Sequence, residues 1–439
     1  MASITFVIPS ILNPGGGERR EEMEAGSIGE AFSKAAEVMG DSFKRKVLEA
    51  DGTPRQLVNV YINGKNAKFT DGTLSDGDEV YILPAVAGGS ADLSREELDR
   101  YSRQVMLDEI GYGGQLKLRG ARICIAGSGG LGNPVATRLA AMGAGCLRIV
   151  DRDIVEASNL HRQTLFDDGD VGSVKVEAAA AKLRRMAPSC RIEELAVSIN
   201  DGSAREVVEG CDVVVDALDS VNARYALNRA CIDLGIPLVT GAAVGVTGQV
   251  FTVLPGRTAC YNCIFPGLDE DSMPTCSIEG VHPSILSVVG GIEVAEAARV
   301  VMGREPALSR RILHIDLESM EFTSTAIERV PECPVCGDAR QEAEPSKDLV
   351  LEELCGRHGG KRTYSITPGG RVDLDVEAVA AAGRERGFAV ENLGDLGISL
   401  RNEDVSVSIM RRGSAVIVGP GDESGAVSLY RTLVGGEAA

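Results

Sequence analysis

The sequence predicts an α/β protein of several domains, with a central, mostly parallel sheet that has helices on both faces. Short apolar runs such as "ARICIAG", "CLRIVD" and "DVVVDAL" alternate with helical segments from residue 121 onward, which is typical of parallel strands buried on both faces. The later stretch from "PLVTGAAVG" to "MEFTSTAI" predicts further strands around one long helix, so we expect a mixed sheet. The chain of 439 residues is also too long for one ordinary domain.

A smaller sheet is predicted before the central one. Residues 3–8 and 58–63 alternate as strands, and the helix between them begins after Ser27, with Glu30 at the capping-box position. The run "GDEVYIL" predicts one more strand, and this order of elements is typical of a β-grasp fold.

A third domain is predicted at the end of the chain. After about residue 340 the composition becomes charged and contains proline, and the helix "VEAVAAAGRERG" and the strands "DVSVSIM" and "AVIVGP" then indicate a small α+β domain of unknown role. The predicted boundaries are 1–89 for the β-grasp domain, 90–100 for a linker leading into a helix, 101–340 for a Rossmann-like domain and 341–439 for the last domain.

Charge and composition exclude several classes of function. The net charge of −19 argues against broad binding of nucleic acid or anionic membranes, because phosphate contacts need a basic surface. The N-terminus lacks the features of a signal peptide, and no apolar run is long enough to span a membrane, so we expect a cytoplasmic protein. Because the cytoplasm is reducing, we interpret the eleven cysteines as core residues, metal ligands or catalytic thiols in preference to disulfides.

A glycine-rich loop follows the first strand of the central sheet. In "CIAGSGGLGNP", a G-x-G-x-x-G array is followed by a helix, so backbone N–H groups and the helix dipole can face phosphates. Asp151 ends the next strand, where a carboxylate can accept hydrogen bonds from ribose hydroxyls. The loop positions are Gly127, Gly129, Gly130 and Gly132. These residues alone would equally fit a nicotinamide-dependent dehydrogenase.

The segment after Asp151 favours a triphosphate instead. The run "DRDIVEASNLHRQ" and the following "VGSVKVE" concentrate polar and cationic side chains after a strand without an amphipathic period. Arginine offers a planar fork and lysine a point charge, which together suit a triphosphate and the charge that develops at its α-phosphorus. The candidates are Asp153, Asn159, Arg162, Gln163 and Lys175.

Two C-x-x-C pairs predict a structural metal site. Cys260 and Cys263 form one pair, and Cys333 and Cys336 form the other, in a chain with only four histidines. Four thiolates are the ligand set of a closed tetrahedral Zn²⁺ site. Two unrelated turns or a redox C-x-x-C motif are the alternatives.

Together, these motifs resemble the ubiquitin-activating-enzyme-like adenylyltransferases typified by MoeB and ThiF. The resemblance covers roughly residues 94–338, and its motifs follow one another in the family's order. They are "RYSRQ", "GSGGLG", "VDRDIVEASNLHRQ", "VGSVKVE", "DALDSVNAR", "CYNCIFP", "PTCSIEGV" and "CPVC". The resemblance implies an enzyme that binds ATP with Mg²⁺ and adenylates the C-terminal glycine of a ubiquitin-like protein, releasing pyrophosphate.

The resemblance also implies roles for single residues. The glycine loop and Asp151 would hold the adenosine and phosphates, Asp219 would bind Mg²⁺, and Arg103 would reach into the neighbouring site of a homodimer. The residues facing the triphosphate and the attacked phosphorus would be Asn159, Arg162 and Lys175. One departure is Ser220, since the family usually has asparagine after this aspartate. Cys276 lies where some members keep a thiol for a thioester or an acyl disulfide, and in others this thiol is not needed.

The N-terminal domain resembles the sulfur-carrier β-grasp proteins of the MoaD and ThiS type. The matching stretch is "NVYINGKNAKFTDGTLSDGDEVYILPAVAGG", and such carriers end on the diglycine that here is Gly88 and Gly89. The implied product is a carrier thiocarboxylate, with molybdopterin synthesis as the leading pathway and thiamine, cysteine or tRNA thiolation as alternatives. A chance Gly-Gly linker is the other interpretation.

Adenylation needs a free carboxylate, whereas Gly89 is bonded to Ser90 in the intact chain. Either a protease, such as a JAMM-type metalloprotease, cleaves after Gly89, or a separate carrier is the substrate. A sulfur donor such as a cysteine desulfurase or a rhodanese is the other expected partner. Three competing functions stay open from the sequence: a dinucleotide-dependent oxidoreductase, a ubiquitin-like conjugation system through Cys276, and an inactive scaffold.

Overall fold

In the computed structural model, the chain forms two compact units, Met1–Gly120 and Ala121–Ala439. None of the described helices is long and apolar enough to cross a membrane. The structure describes residues 1–435 apart from 10–11, 14–17, 50, 56–57, 68–71, 85–92, 106, 108, 269–279, 339, 341–348, 359–360, 370–371 and 394.

A five-stranded sheet and one long helix form most of the first unit. Its elements are β1 (Ala2–Ile8), β2 (Arg19–Ala25), α1 (Ile28–Val47), β3 (Val58–Ile62), β4 (Lys65–Ala67) and β5 (Glu79–Pro84). The strand order is β2-β1-β5-β3-β4, with β1 and β5 parallel and the other neighbours antiparallel, which confirms the β-grasp prediction. Ser27 caps α1 by accepting the N–H of Glu30 at 3.3 Å. The helix is kinked at Gly40, which has φ +75°, and continues to Val47.

Two helices cover the face of this sheet opposite α1. They are α2 (Arg95–Val105) and α3 (Gly111–Gly120). Tyr81 and Leu83 of β5 share an apolar cluster with Leu98 and Tyr101 of α2. The strands β1, β3 and β5 of this sheet are therefore packed on both faces.

An eight-stranded mixed sheet forms the centre of the second unit. Its strands are β6 (Arg122–Ala126), β7 (Cys146–Asp151), β8 (Arg191–Ala196), β9 (Val213–Asp216), β10 (Leu238–Val244), β11 (Thr247–Val253), β12 (Arg311–Asp316) and β13 (Glu321–Ala326). The order is β13-β12-β11-β10-β9-β6-β7-β8. Five neighbouring strands, β10, β9, β6, β7 and β8, pair in parallel. The strands β11, β12 and β13 extend the sheet beyond β10 by antiparallel pairing.

Helices cover both faces of the central sheet, as the doubly apolar strands require. They are α4 (Gly132–Ala141), α5 (Lys175–Met186), α6 (Ala204–Val208), α7 (Val221–Leu234), α8 (Tyr261–Ile264) and α9 (Pro283–Val301). Ile123 and Ile125 of β6 face the apolar core that includes α4, α5 and α9, whereas Cys124 and Ala126 face the core that includes α6 and α7. The described cysteines outside the C-x-x-C pairs are buried: Cys190 lies in the first of these cores, Cys124, Cys211 and Cys231 lie in the second, and Cys146 begins β7.

A six-stranded antiparallel sheet with two helices completes the second unit. Its elements are β14 (Leu349–His358), β15 (Lys361–Pro368), α10 (Val376–Glu385), β16 (Ala389–Leu393), β17 (Gly397–Arg401), β18 (Ser406–Met410), β19 (Ala415–Val418) and α11 (Glu423–Val434). The order is β14-β15-β19-β18-β17-β16. This sheet confirms the predicted α+β character of the region and adds strands that the sequence analysis did not single out.

Candidate active site

The glycine loop after β6 is packed so tightly that side chains are excluded. Gly127 has φ +100°, and a Cβ there would lie 2.6 Å from the carbonyl oxygen of Ala217. A Cβ on Gly132, the first residue of α4, would lie 2.0 Å from the carbonyl oxygen of Gly127. Gly130 faces the flexible Leu286 side chain. The loop thus exposes backbone rather than side chains before a helix N-terminus, which is the arrangement that binds phosphates.

Asp151 ends β7 and orders the loops on both sides of it. Its Oδ2 accepts the N–H of Ser128 at 2.7 Å, and its Oδ1 accepts the N–H of Asp153 at 2.8 Å. Burial raises the pKa of Asp151, while the ammonium group of Lys175 acts in the opposite direction. The carboxylate therefore fixes the glycine loop relative to the segment that the sequence predicts to face a triphosphate.

Lys175 is the first residue of α5 and is 5% exposed. Its Nζ donates to Oδ2 of Asp153 at 2.9 Å. Burial alone would lower the pKa of Lys175, but the carboxylates of Asp153 and Asp151 outweigh burial and raise the pKa above its usual value. The side chain therefore remains a buried ammonium group, at the same edge of the sheet as the glycine loop.

The short segment after β7 contributes an amide that lacks one partner. Gln163 is 3% exposed, and its Oε1 has no hydrogen-bond partner among the described residues. Its Nε2 lies 3.8 Å from the position of a Cβ on Gly129. Arg162 donates from Nη1 to the carbonyl of Ser158 at 2.9 Å, and Asn159 is buried in a capping box with Glu156. A bound ligand with hydroxyl or N–H groups could donate a hydrogen bond to this oxygen of Gln163, beside the glycine loop.

Asn133 holds this segment against the glycine loop, and the sequence analysis missed it. It is fully buried, donates from Nδ2 to the carbonyl of Ser128 at 2.9 Å, and accepts the N–H of Leu165 at 2.8 Å through Oδ1. The signal was present in "GLGNP", because the amide side chain directly follows the last glycine of the array, at the start of the helix.

Asp219 is exposed in the loop between β9 and α7, on the same edge of the sheet. It is close enough to Lys175 and to Arg224 to influence the pKa of both. Ser220, the departure from the family pattern, accepts the N–H of Ala223 at 3.3 Å and caps α7. Serine and asparagine are both good N-caps, so the local backbone role is retained.

Arg224 is the last residue of the motif "DALDSVNAR", and the sequence alone did not indicate its structural role. It is 6% exposed and donates to Oδ2 of Asp216 at 3.0 Å, to the carbonyl of Gly241 at 2.8 Å and to the carbonyl of Leu218. It thus ties the Asp219 loop to strands β9 and β10. Glu293 of α9 is fully buried beside Gly241, and neither of its oxygens makes a hydrogen bond of normal geometry with a described residue.

The two C-x-x-C pairs come together as predicted. All four Sγ atoms lie within 4.8 Å of one another, with 3.7 Å between Cys260 and Cys333 and 3.3 Å between Cys263 and Cys336. Four thiolates around Zn²⁺ at about 2.3 Å would be separated by about 3.8 Å. Asn228 positions the first pair by accepting the N–H of Tyr261 at 3.0 Å. The donor set and its spacing fit a tetrahedral metal ion.

The remaining predicted residues lie elsewhere. Arg103 is exposed on α2 in the first unit, where its guanidinium donates to the carbonyl of Gly64, so its role in a dimer stays a prediction. Cys276, Gly88 and Gly89 lie outside the described residues. Of the predicted nucleotide-site residues in the second unit, all lie at the ends of β6, β7 and β9 or in the segments that follow them.

Comparison with protein-family models decides the family. The model of the ThiF family matches residues 101–335, which is more than half of the chain. The chain belongs to the ThiF family. The model of the ThiS family matches residues 17–89, so a ThiS-family domain precedes the ThiF-family domain and its match ends at Gly89.

Characterised relatives agree with this family. The SAMP-activating enzyme E1 of Haloferax volcanii is 40% identical over 259 residues, which cover 59% of this chain and 96% of the relative. The sulfur carrier protein adenylyltransferase of Thermus thermophilus is 39% identical over 271 residues, covering 60% of this chain and 98% of the relative. The adenylyltransferase and sulfurtransferase MOCS3 of Drosophila grimshawi is 38% identical over 302 residues, covering 68% and 67%. The prediction of an adenylyltransferase is confirmed.

A solved structure supports the fold. The crystal structure of E. coli MccB with MccA-N7isoASN has a TM-score of 0.50 and 26% identity, and the match covers 56% of this chain and 76% of MccB. The predicted fold class, with a Rossmann-like ThiF-family sheet after a β-grasp domain, is therefore confirmed.

Proposed function

We propose that the chain uses ATP and Mg²⁺ to adenylate the C-terminal glycine of a ubiquitin-like sulfur carrier. The persulfide of a separate sulfur donor would then displace AMP from the carrier acyl-adenylate to give an acyl disulfide. A thiol reductant would cleave its S–S bond and release the carrier thiocarboxylate. The observation that supports this most directly is the buried Lys175–Asp153 pair beside a glycine loop, in a chain that also contains a ThiS-family domain.

The proposed reaction is an in-line displacement at the α-phosphorus. A carboxylate oxygen of the carrier glycine forms the new P–O bond, and the bond to the leaving pyrophosphate breaks. The carboxylate is already ionised at neutral pH, so the protein needs to position the groups and neutralise charge more than to remove a proton. The ammonium group of Lys175 and the guanidinium of Arg162 are the groups proposed to stabilise the developing negative charge.

The acceptors and donors around the glycine loop suit a nucleotide. Gln163 Oε1 is a buried acceptor without a partner among the described residues, and Gly132 leaves no room for a side chain between α4 and the loop. Asp219 is the carboxylate proposed to hold Mg²⁺, which would neutralise the phosphates when bound. We propose Zn²⁺ for the four-cysteine cluster, as a structural ion with no open coordination position.

The tail of the N-terminal domain limits how the reaction begins. Gly89 is followed by Ser90 in the intact chain, so its carbonyl is part of an amide and cannot be adenylated. We propose that a protease, of the JAMM type by analogy, cleaves the bond after Gly89 and so frees its carboxylate. If the chain is not cleaved, a separate carrier is the proposed substrate. Molybdopterin synthesis is the pathway that we propose, from the MoaD-like tail, with a cysteine desulfurase or a rhodanese as sulfur donor.

Carrier-dependent exchange of labelled pyrophosphate into ATP tests the proposed function. The intact chain is the enzyme, and the segment 1–89 with a free Gly89 carboxylate is the substrate. We expect exchange with this segment, little with a segment ending at Gly88, and a loss of roughly 10²–10³-fold for Lys175→Ala because one charge-stabilising group is removed.

Two results would contradict the proposal. An exchange rate that does not depend on the carrier carboxylate would exclude adenylation of Gly89. If Asp219→Ala leaves the exchange rate unchanged, Asp219 is not the Mg²⁺ ligand. If, in addition, the wild type shows no more exchange than a reaction without enzyme, the chain is an inactive scaffold.

A further inference from the structure

The described residues of the C-terminal sheet include none of the candidate-site residues, yet the sheet packs on the segments that form that site. Met410 of β18 lies in the same apolar core as Ile149 of β7 and Val174, the residue before α5. A Cβ on Gly397 of β17 would approach Val174 Cγ2 to 3.1 Å. The C-terminal sheet therefore contacts the start of α5 closely, and Lys175 is the first residue of that helix.

Hydrogen bonds cross the same junction. Arg152 donates from Nη1 to the hydroxyl oxygen of Ser365 at 2.9 Å, and Leu396 donates its N–H to Oε1 of Glu177 at 2.6 Å. Ser198, just beyond β8, donates its N–H to the hydroxyl oxygen of Ser414 at 3.2 Å. The C-terminal sheet is thus held to the central sheet by directional bonds as well as by apolar contact.

The bonded residues of the central domain flank the nucleotide site in sequence and in space. Arg152 lies between Asp151 and Asp153, and its Nε is 4.0 Å from Oδ1 of Asp153. The other oxygen of Asp153 accepts from Lys175 Nζ at 2.9 Å. A continuous path of contacts therefore leads from Ser365 through Arg152 and Asp153 to Lys175. A second path leads from Leu396 to Glu177, two residues after Lys175 in the same helix.

We propose that the C-terminal sheet is a supporting domain that sets the position of the Asp153–Lys175 pair, with Arg152 and Glu177 as positioning residues. Because Arg152 connects the sheet to the segment of Asp153, and Glu177 connects it to the helix that begins with Lys175, the supporting domain would determine affinity for the nucleoside triphosphate. This inference rests on the proposed function, since it takes ATP as the ligand of the site.

Ser365→Ala in the full chain tests the first path. The variant keeps the volume of the side chain nearly unchanged but leaves Arg152 without this acceptor. Loss of one hydrogen bond of ordinary strength predicts a roughly threefold to tenfold weaker Kd for ATP–Mg²⁺ by calorimetry. In the exchange assay we expect KM for ATP to rise while kcat changes less, because the residue acts on binding geometry.

The matched control is Ser399→Ala. Ser399 lies in β17 of the same sheet and is 4% exposed, whereas Ser365 is 1% exposed. Its hydroxyl has no hydrogen-bond partner among the described residues, so its removal should leave Kd for ATP unchanged. The second path is tested by Glu177→Ala, which should weaken ATP binding, and by Glu177→Gln, which keeps an acceptor for the Leu396 N–H and should restore it.

The outcomes separate this inference from the proposed function. Weaker ATP binding by Ser365→Ala and Glu177→Ala, with wild-type binding by Ser399→Ala and Glu177→Gln, supports a supporting domain. Equal Kd for Ser365→Ala and Ser399→Ala, even with a lower melting temperature, would overturn it and leave the proposed function intact. Absence of ATP binding by the wild type would overturn both.

Discussion

Three buried ionisable side chains, Asp216, Arg224 and Glu293, lie beside the loop that presents Asp219. Arg224 pairs with Asp216 at 3.0 Å, with side-chain exposures of 7% and 1%. Removing one partner of a buried ion pair leaves an uncompensated charge, which commonly costs about 3–5 kcal/mol. Arg224 also bonds the carbonyls of Leu218 and Gly241, so its side chain determines the local backbone as much as it neutralises charge.

Glu293 should make the stability of the protein depend on pH. Burial, reinforced by Asp216, raises the pKa of Glu293 well above its usual value of 4.5. The folded state therefore binds this proton more tightly than the unfolded state does, and the stability gained from it is complete below about pH 4.5 and lost as the pH rises towards the folded pKa. Glu293→Gln should remove this loss, so its advantage in melting temperature over the wild type should grow with pH above about 4.5.

Glu296 of the same helix gives the matched control. It is also buried, but its carboxylate accepts from Thr252 Oγ1 at 2.8 Å and from the N–H groups of Ala307 and Leu308 at 2.9 Å. Glu296→Gln replaces one acceptor by a donor and should cost about 1–3 kcal/mol. If Glu293→Gln instead destabilises the protein by the same amount at every pH, Glu293 is ionised in the folded state and paired with Arg224.

At the scale of elements, the packing of α9 on α4 determines where the glycine loop lies. Gly290 faces Pro134, the third residue of α4, and a Cβ would come 2.9 Å from Pro134 Cγ. At the next residue, Gly291, a Cβ would meet nothing within 4 Å. Of these two adjacent glycines, Gly290 is therefore required because α4 lies close to its backbone, whereas a side chain at Gly291 would meet no neighbour.

Alanine at these two positions should have opposite effects. Gly291→Ala should stabilise the protein by about 0.5–1 kcal/mol, because alanine loses less backbone entropy in a helix. Gly290→Ala must displace α4 and should lower both the melting temperature and the affinity for ATP. A gain in stability for both variants would show that the contact between α4 and α9 is loose.

The four-cysteine cluster connects the start of α8 with the turn that contains Cys333 and Cys336. Because it joins residues 73 positions apart, loss of the proposed Zn²⁺ should release a long segment. Cys333→Ser should reduce bound zinc from about one ion per chain to none, measured by elemental analysis. The melting temperature should fall by about 10 °C, from roughly 4 kcal/mol of lost stability. Cys146→Ser, a core cysteine, should keep the metal.

At the scale of the whole molecule, the chain combines a ThiS-family domain with a ThiF-family domain. This combination predicts a processing step after Gly89, since only a free carboxylate can be adenylated. The intact mass of the protein from its native host should include a fragment ending at Gly89, either as the carboxylate or with one oxygen replaced by sulfur. Recovery of the uncut chain alone would show that Gly89 is not the substrate in that sample and would direct the search to a separate carrier.

Local patterns in the sequence determined the fold class, the glycine loop, Asp151, Lys175 and the two cysteine pairs. These features depend on short-range chemistry: apolar runs flanked by turns, glycines that permit a positive φ, and ligand spacing. Only the tertiary structure decided that Asn133 joins the loop to the segment of Gln163, and that Arg224 and Glu293 lie side by side. These contacts link residues far apart in the chain, and no local periodicity specifies which distant backbone groups a buried side chain will meet. The position of the C-terminal sheet against Arg152 and Glu177 was decided in the same way, because packing between sheets depends on the complementarity of whole surfaces.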